Sequence, residues 1–368
     1  MNWDTLCFNV ATLIAGIAVL DYGADKFIDH TVIVGRRLGI SPTLIALLTA
    51  GAEYEELAVV VAALLQHRSP LALGNVMGST ISNILGAFSL GLLCQTDGME
   101  FDRSAKMYSA LLLFVTTLFV VLAYFHQLNR ISGGILIAIF VLYIASIGYA
   151  IYRGITEPPQ LSDSESDSDS DDEIANSRHE RSRGRDLPSA SERSPLLDSA
   201  DTSEYIPTAE NDDKRPPRPL YYHICQLVYG LLALSLSGYI LAHSAGSIAD
   251  SLHLSGTVFG LTVVAFATTL PEKLIAVLSG SRGQGGIVVA TTAGSNIFLL
   301  TLCVGVVAVA GIPVDQSDTI ILFDLVTVWL SSLIFLVVVF LGLGRAAGFV
   351  LLVAYVVFLV LEFTVYKR

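Results

Sequence analysis

Residues 49–60 read TAGAEYEELAVV and residues 266–277 read FATTLPEKLIAV. Each stretch sets carboxylates into an otherwise apolar run: Glu53, Glu55 and Glu56 in the first, and Glu272 beside Lys273 in the second. Glu56 and Glu272 are 216 residues apart. The same offset relates Gly78-Ser79 to Gly294-Ser295, Ile81 to Ile297 and Leu38 to Leu254, with no gap. Chance supplies one such match easily, but not a mid-span glutamate and a Gly-Ser pair at one spacing. The two stretches are one element used twice, and that repeat decides the fold.

The chain around them is membrane-like. Of 368 residues, 53% are hydrophobic and 15% charged, with a mean hydropathy of +0.64. Soluble domains carry about 25% charged residues, so the composition excludes an ordinary soluble enzyme. A net charge of −12 argues against nucleic acid as a partner. Charge-free runs fall at 5–20, 69–96, 107–129, 131–152, 219–249, 251–271, 283–314, 325–344 and 346–361, and a further apolar segment, 38–66, contains the three glutamates. A helix needs roughly 20 apolar residues to cross a bilayer. The expected fold is an all-α polytopic membrane protein of ten transmembrane helices. Five precede and five follow a polar insert, giving halves 1–152 and 220–368 around a loop at 153–219. An odd number of spans makes the second half enter the membrane in the opposite sense. That is an inverted-topology repeat, which in transporters puts the binding site at the midplane between the halves.

The insert holds much of the acidity. Between Glu157 and Pro219 there are 17 Asp/Glu and 8 Lys/Arg. Its Ser-, Asp- and Arg-rich composition cannot bury enough apolar surface to fold alone, so it reads as a disordered linker whose serines are candidates for phosphorylation. With the N-terminus outside, eleven span-flanking Lys/Arg fall on the cytosolic side and four on the other, which puts the insert in the cytosol. There Glu192-Arg193-Ser194-Pro195-Leu196-Leu197 resembles an acidic dileucine signal read by sorting adaptors. It points to a vacuolar or endolysosomal membrane rather than the plasma membrane. Cys7, Cys94, Cys225 and Cys303 lie in apolar runs without metal-ligand spacing and read as packing residues.

A carboxylate in mid-membrane costs several kcal/mol unless it is paired, so such residues are functional by default. The bland alternative is a structural ion pair of Glu56 or Glu272 with Lys273. Glu56 and Glu272 match each other across the repeat. Glu53 and Glu55 face Thr269 and Pro271 at the same offset, and a pore-lining or helix-end role stands beside ion binding for them. Pro271 removes a helix hydrogen bond just before Glu272. A helix loosened there frees carbonyl oxygens beside the carboxylate. Thr49, Thr268 and Thr269 add neutral oxygens. Gly74-Asn75, Gly78-Ser79-Thr80 and Gly294-Ser295-Asn296 supply small residues for close helix approach, and Ser79, Asn83 and Ser295 come within reach of the site. Carboxylates with neutral oxygens suit a hard cation such as Ca²⁺.

At these residues the chain resembles the cation/calcium antiporter superfamily, on its sodium/calcium-exchanger branch. That family has two alpha repeats, each with Gly-Thr-Ser-x-Pro-Glu followed by a Gly-Asn-x-x-Gly-Ser-Asn-type stretch. Here the second reads ATTLPEK…TTAGSNIF and the first GAEYEEL…GNVMGSTISN. The resemblance covers nearly all the membrane part. It implies an antiporter, not an enzyme, with no cofactor. Ca²⁺ would be exchanged for Na⁺ or H⁺ by alternating access, held between Glu56 and Glu272 with Ser79, Asn83, Thr268, Thr269 and Ser295 as neutral neighbours. The chain departs from the pattern in three places. Ala52 and Glu53 stand where Thr and Ser are usual, Leu299 where Asp or Asn is usual, and Lys273 where an apolar residue is usual. Lys273 is a candidate stand-in for a monovalent cation. An antiporter for another cation, or a transport-dead scaffold acting through the acidic loop, are the alternatives. No nucleophile–base pair supports an enzyme.

Overall fold

The computed structural model describes residues 3–39, 53–95, 101, 103–152, 219–311 and 320–366. The chain divides into two units, Met1–Pro159 with Leu220–Arg368, and Gln160–Pro219. Apart from Pro219, the second unit, with the dileucine stretch, lies outside the described residues.

Among the described residues the first unit is all helix. The helices are α1 (Trp3–Arg37), α2 (Tyr54–Leu65), α3 (Ser69–Cys94), α4 (Arg103–Tyr124), α5 (Arg130–Tyr152), α6 (Leu220–Leu252), α7 (Gly256–Thr268), α8 (Leu270–Ser281), α9 (Gly285–Ala310), α10 (Leu322–Leu341) and α11 (Arg345–Thr364). Eight are long and apolar enough to cross a membrane, and α7 with α8 makes a ninth span bent by 48°. The tenth expected span, 38–66, falls partly on residues 40–52, outside the described residues.

The repeat offset is written into the helix boundaries. Adding 216 to α2 gives 270–281, the bounds of α8. Adding it to α3 gives 285–310, the bounds of α9. Helices α1, α4 and α5 land within three or four residues of the bounds of α6, α10 and α11. The counterpart of α7 is residues 40–52.

Two features differ from the apolar-run reading. The first span, read as 5–20, is one helix to Arg37, because Asp21, Asp25, Lys26 and Asp29 interrupt the hydropathy but not the helix. The span read as 251–271 stops at Glu272 by charge, whereas the chain continues through α8 to Ser281. The charged pair is taken into the protein interior rather than marking a membrane edge.

α3 and α9 form the centre, with 89% and 78% of their spans buried in protein, against 17–44% for the other long spans. Both contain a π-helical stretch, at Ser82–Phe88 and Leu299–Cys303, and a third lies in α7 at Gly260–Val264. Such turns gather at functional sites because the wider turn releases backbone groups from the regular ladder. α3 lies directly on the α7 backbone: a Cβ on Gly78 would run into the Leu261 carbonyl and stand 2.6 Å from Ala265 Cβ. Only the absence of a side chain permits that approach.

Candidate cation site

Both glutamate-bearing helices begin at repeat-equivalent breaks. Glu53 precedes α2 with φ −81° and ψ 70°, and Thr269 precedes α8 with φ −91° and ψ 17°. Pro271 sits in the first turn of α8, where a missing N–H costs nothing. The breaks put Glu56 and Glu272 in the first turns of their helices, where the partial positive charge of the N-terminus favours carboxylates.

Glu56 is buried and held from both halves of the chain. From α3, the Ser79 hydroxyl donates to its Oε1 at 2.7 Å and Asn75 Nδ2 donates to its Oε2. From α7, the Thr268 hydroxyl donates to Oε1 at 2.6 Å. A second crossing runs the other way: the Glu53 side chain of the first half lies close to Glu272 and Ser295 of the second. Two carboxylates brought close repel each other, and a cation between them relieves that repulsion.

Asn83 completes the neighbourhood. Its Nδ2 donates to Asn296 Oδ1 at 3.5 Å, and it lines one small cavity with Glu272, Thr291, Thr292 and Ser295. Asn83 Oδ1 and Glu272 Oε2 are buried without a hydrogen-bond partner, and so is Asn75 Oδ1 beside Glu56. Buried polar atoms are normally paired. Unpaired oxygens beside buried carboxylates are of the chemical kind that suits a hard cation, which takes 6–8 oxygens.

Of the expected residues, Ser79 and Thr268 therefore stand on Glu56, Asn83 and Ser295 line one cavity with Glu272, and Glu53 lies close to Glu272. Thr269 is turned elsewhere. Its hydroxyl contacts Lys273 Nζ at 2.5 Å and Ser82 Oγ at 2.8 Å. Lys273 makes no ion pair with either glutamate; its amine is taken by neutral oxygens. Glu55 makes no hydrogen bond to this group, and its acidic neighbours include Asp21 and Asp25 of α1. From the sequence, Asn75 is expected only as a small residue for helix packing. Its signal was available: an amide in mid-span, four residues before Ser79 and so on the same helix face. Ser82 and Tyr355, which meet at 2.9 Å, carried no such signal.

A model of the sodium/calcium exchanger protein family matches residues 8–148 and 222–364. The chain belongs to that family. Its members are multi-pass membrane transporters, not enzymes, and Ca²⁺ and Na⁺ are their substrates rather than cofactors. Among curated relatives, a putative antiporter CaxA of Alkalimonas amylolytica is 28% identical over 82% of each chain. The sodium/calcium exchanger MaX1 of Methanosarcina acetivorans is 27% identical over 96% of this chain and 98% of its own. Among solved structures, the sodium-calcium exchanger NCX_Mj soaked with Na⁺ and Sr²⁺ matches with a TM-score of 0.52. It is 19% identical, with 96% of this chain and 98% of that chain covered; the likeness is one of fold.

Proposed function

We propose that this exchanger-family protein moves Ca²⁺ across a membrane against Na⁺ or H⁺, with the cation held among Glu53, Glu56 and Glu272. The observation that carries the reading is the contact across the repeats: Thr268 of the second half donates to Glu56 of the first, while Asn83 of the first half lines one cavity with Glu272 and Ser295 of the second. A cation bound there is gripped by both halves. Rocking one half against the other changes which side it can reach. Counter-ions compete for the same carboxylates, which couples the two fluxes. The names of the relatives, an antiporter and a sodium/calcium exchanger, agree with this. The test is Ca²⁺ uptake into proteoliposomes under an imposed Na⁺ gradient and then under an imposed pH gradient. No uptake under either would remove Ca²⁺ exchange and leave another cation or the scaffold reading.

The location proposed is a vacuolar or endolysosomal membrane, reached through a sorting adaptor at Glu192–Leu197. Replacing Leu196 and Leu197 with Ala should move a tagged protein toward the cell surface; unchanged localisation would remove the motif.

A further inference from the structure

Lys273 follows Glu272 directly, and its amine is buried, yet it gives no hydrogen bond to a carboxylate. An ammonium has three protons, and three neutral oxygens take them: Thr269 Oγ1 at 2.5 Å, Ser82 Oγ at 2.9 Å and Thr269 O at 3.1 Å. Phe266 O stands at 3.4 Å and the centroid of the Phe266 ring at 4.8 Å.

The other protons of the cage are accounted for as well. The Thr269 hydroxyl donates to Ala265 O at 2.6 Å, which leaves its lone pairs for the amine. Tyr355 donates to Ser82 Oγ at 2.9 Å, and Ser82 in turn donates to Thr269 Oγ1 at 2.8 Å. The lysine stem reaches this place by crossing α3 at Gly86, where a Cβ would stand 3.4 Å from Lys273 Cε.

A buried lysine beside a carboxylate ordinarily closes an ion pair, because an unpaired buried charge is costly. This one is solvated instead by carbonyls of a broken helix, two hydroxyls and an aromatic face. Broken helices offer such oxygens to dehydrated monovalent cations, and ring faces attract the same charge. The formal charges agree: Glu53, Glu56 and Glu272 with Lys273 sum to −2, the charge that one Ca²⁺ neutralises.

We propose that Lys273 is a built-in monovalent cation of the transport site: its ammonium fills the oxygen cage of Ser82, Thr269 and Phe266 and takes the place of one free ion in the exchange cycle. The inference rests on the proposed Ca²⁺ exchange.

Lys273→Met removes the charge and opens the cage. Equilibrium dialysis of the purified protein with radioactive Rb⁺ and Na⁺ should find one more saturable monovalent site in the variant than in the wild type. In proteoliposomes the variant's Ca²⁺ flux should drop by about tenfold, a usual size for coupling between sites, when large organic cations are the only monovalent ions. It should recover with Na⁺ or K⁺. A folded variant with no added site overturns the proposal, as does one that binds the ion while its flux ignores it. If Lys273→Met does not fold, Lys273→Gln, which also removes the charge, carries the same measurements. A wild type without Ca²⁺ exchange would sink the transport reading, and the dialysis would still decide whether the cage takes an ion.

Discussion

Thr116 and Ser332 are 216 residues apart in the chain, and their hydroxyl oxygens lie 2.9 Å apart in the fold. That separation is the repeat offset, so the two are the same position in the two halves. Two equivalent positions can touch only on the axis that relates them. The pair therefore marks the pseudo-two-fold axis of the inverted repeat, at the contact of α4 with α10.

The first prediction follows from the proton count on that axis. Thr116 also donates to Leu112 O at 2.8 Å, which leaves Ser332 to donate to Thr116. Thr116→Val should leave the Ser332 hydroxyl without this partner, while Ser332→Ala leaves Thr116 its carbonyl. Thr116→Val should therefore cost more. The coupling in a double-mutant cycle, read from denaturation in detergent, should be about 0.6 kcal/mol, the average for such bonds between membrane helices. Strict additivity would show that the two helices are held by packing alone.

The carboxylates divide by their partners. Glu56→Gln, Glu272→Gln and Glu53→Gln should each reduce Ca²⁺ flux by about tenfold or more, since ligand charge sets affinity for hard cations. Glu55→Gln should do less. The fold should survive Glu56→Gln, because Asn75 can turn its amide and present its unpaired Oδ1 to the new side chain's N–H. Flux of each variant is to be normalised to folded protein by size-exclusion chromatography. Equal loss at Glu55 and Glu56 would contradict this assignment.

Helix contact predicts a contrast between two glycines. Gly78→Ala drives a methyl into the Leu261 carbonyl and Ala265, and overpacking of this kind costs about 1–3 kcal/mol or more. Gly134→Ala meets nothing within 4 Å and should gain slightly from helix propensity. Thermal unfolding in detergent should show a clear fall for the first and no fall for the second.

Why the sequence carries the fold but only part of the site is a matter of geometry. A gapless offset of 216 survives in sequence because each half must present the same helices in the same order; the bounds of α2 and α8 obey that offset, although the charges at Glu272 and Lys273 end the apolar run before α8 and hide it. Glu56, Glu272, Ser79, Thr268 and Ser295 lie in the repeated segments and are legible for the same reason. The partner of Glu53 is not. The place of that side chain, close to Glu272 and Ser295, goes with the non-helical backbone at Glu53. The direction of Thr269, away from Glu56 and toward Lys273, depends on the break at that residue. Tyr355 reaches Ser82 from α11, far in sequence from either glutamate-bearing stretch, and no spacing announces it.

The last prediction concerns where the two halves differ. Asn83 offers an amide at the small cavity beside Glu272. Its repeat equivalent, Leu299, is fully buried in the π-helical stretch of α9 and offers no oxygen. With fewer oxygens for small monovalent ions, wild-type exchange should respond to a pH step more than to Na⁺, since protons need only a titratable carboxylate. Ca²⁺ efflux from loaded vesicles, with Na⁺ outside at fixed pH and then with a pH step without Na⁺, measures this directly. Strong Na⁺ dependence with no response to the pH step would end the proton reading. Leu299→Asn, close to isosteric, restores the oxygen that the first half already has and should strengthen Na⁺ dependence. If purified, folded Leu299→Asn exchanges like wild type in both assays, position 299 does not face the cation path and the asymmetry must be sought at Ala52 and Glu53 instead.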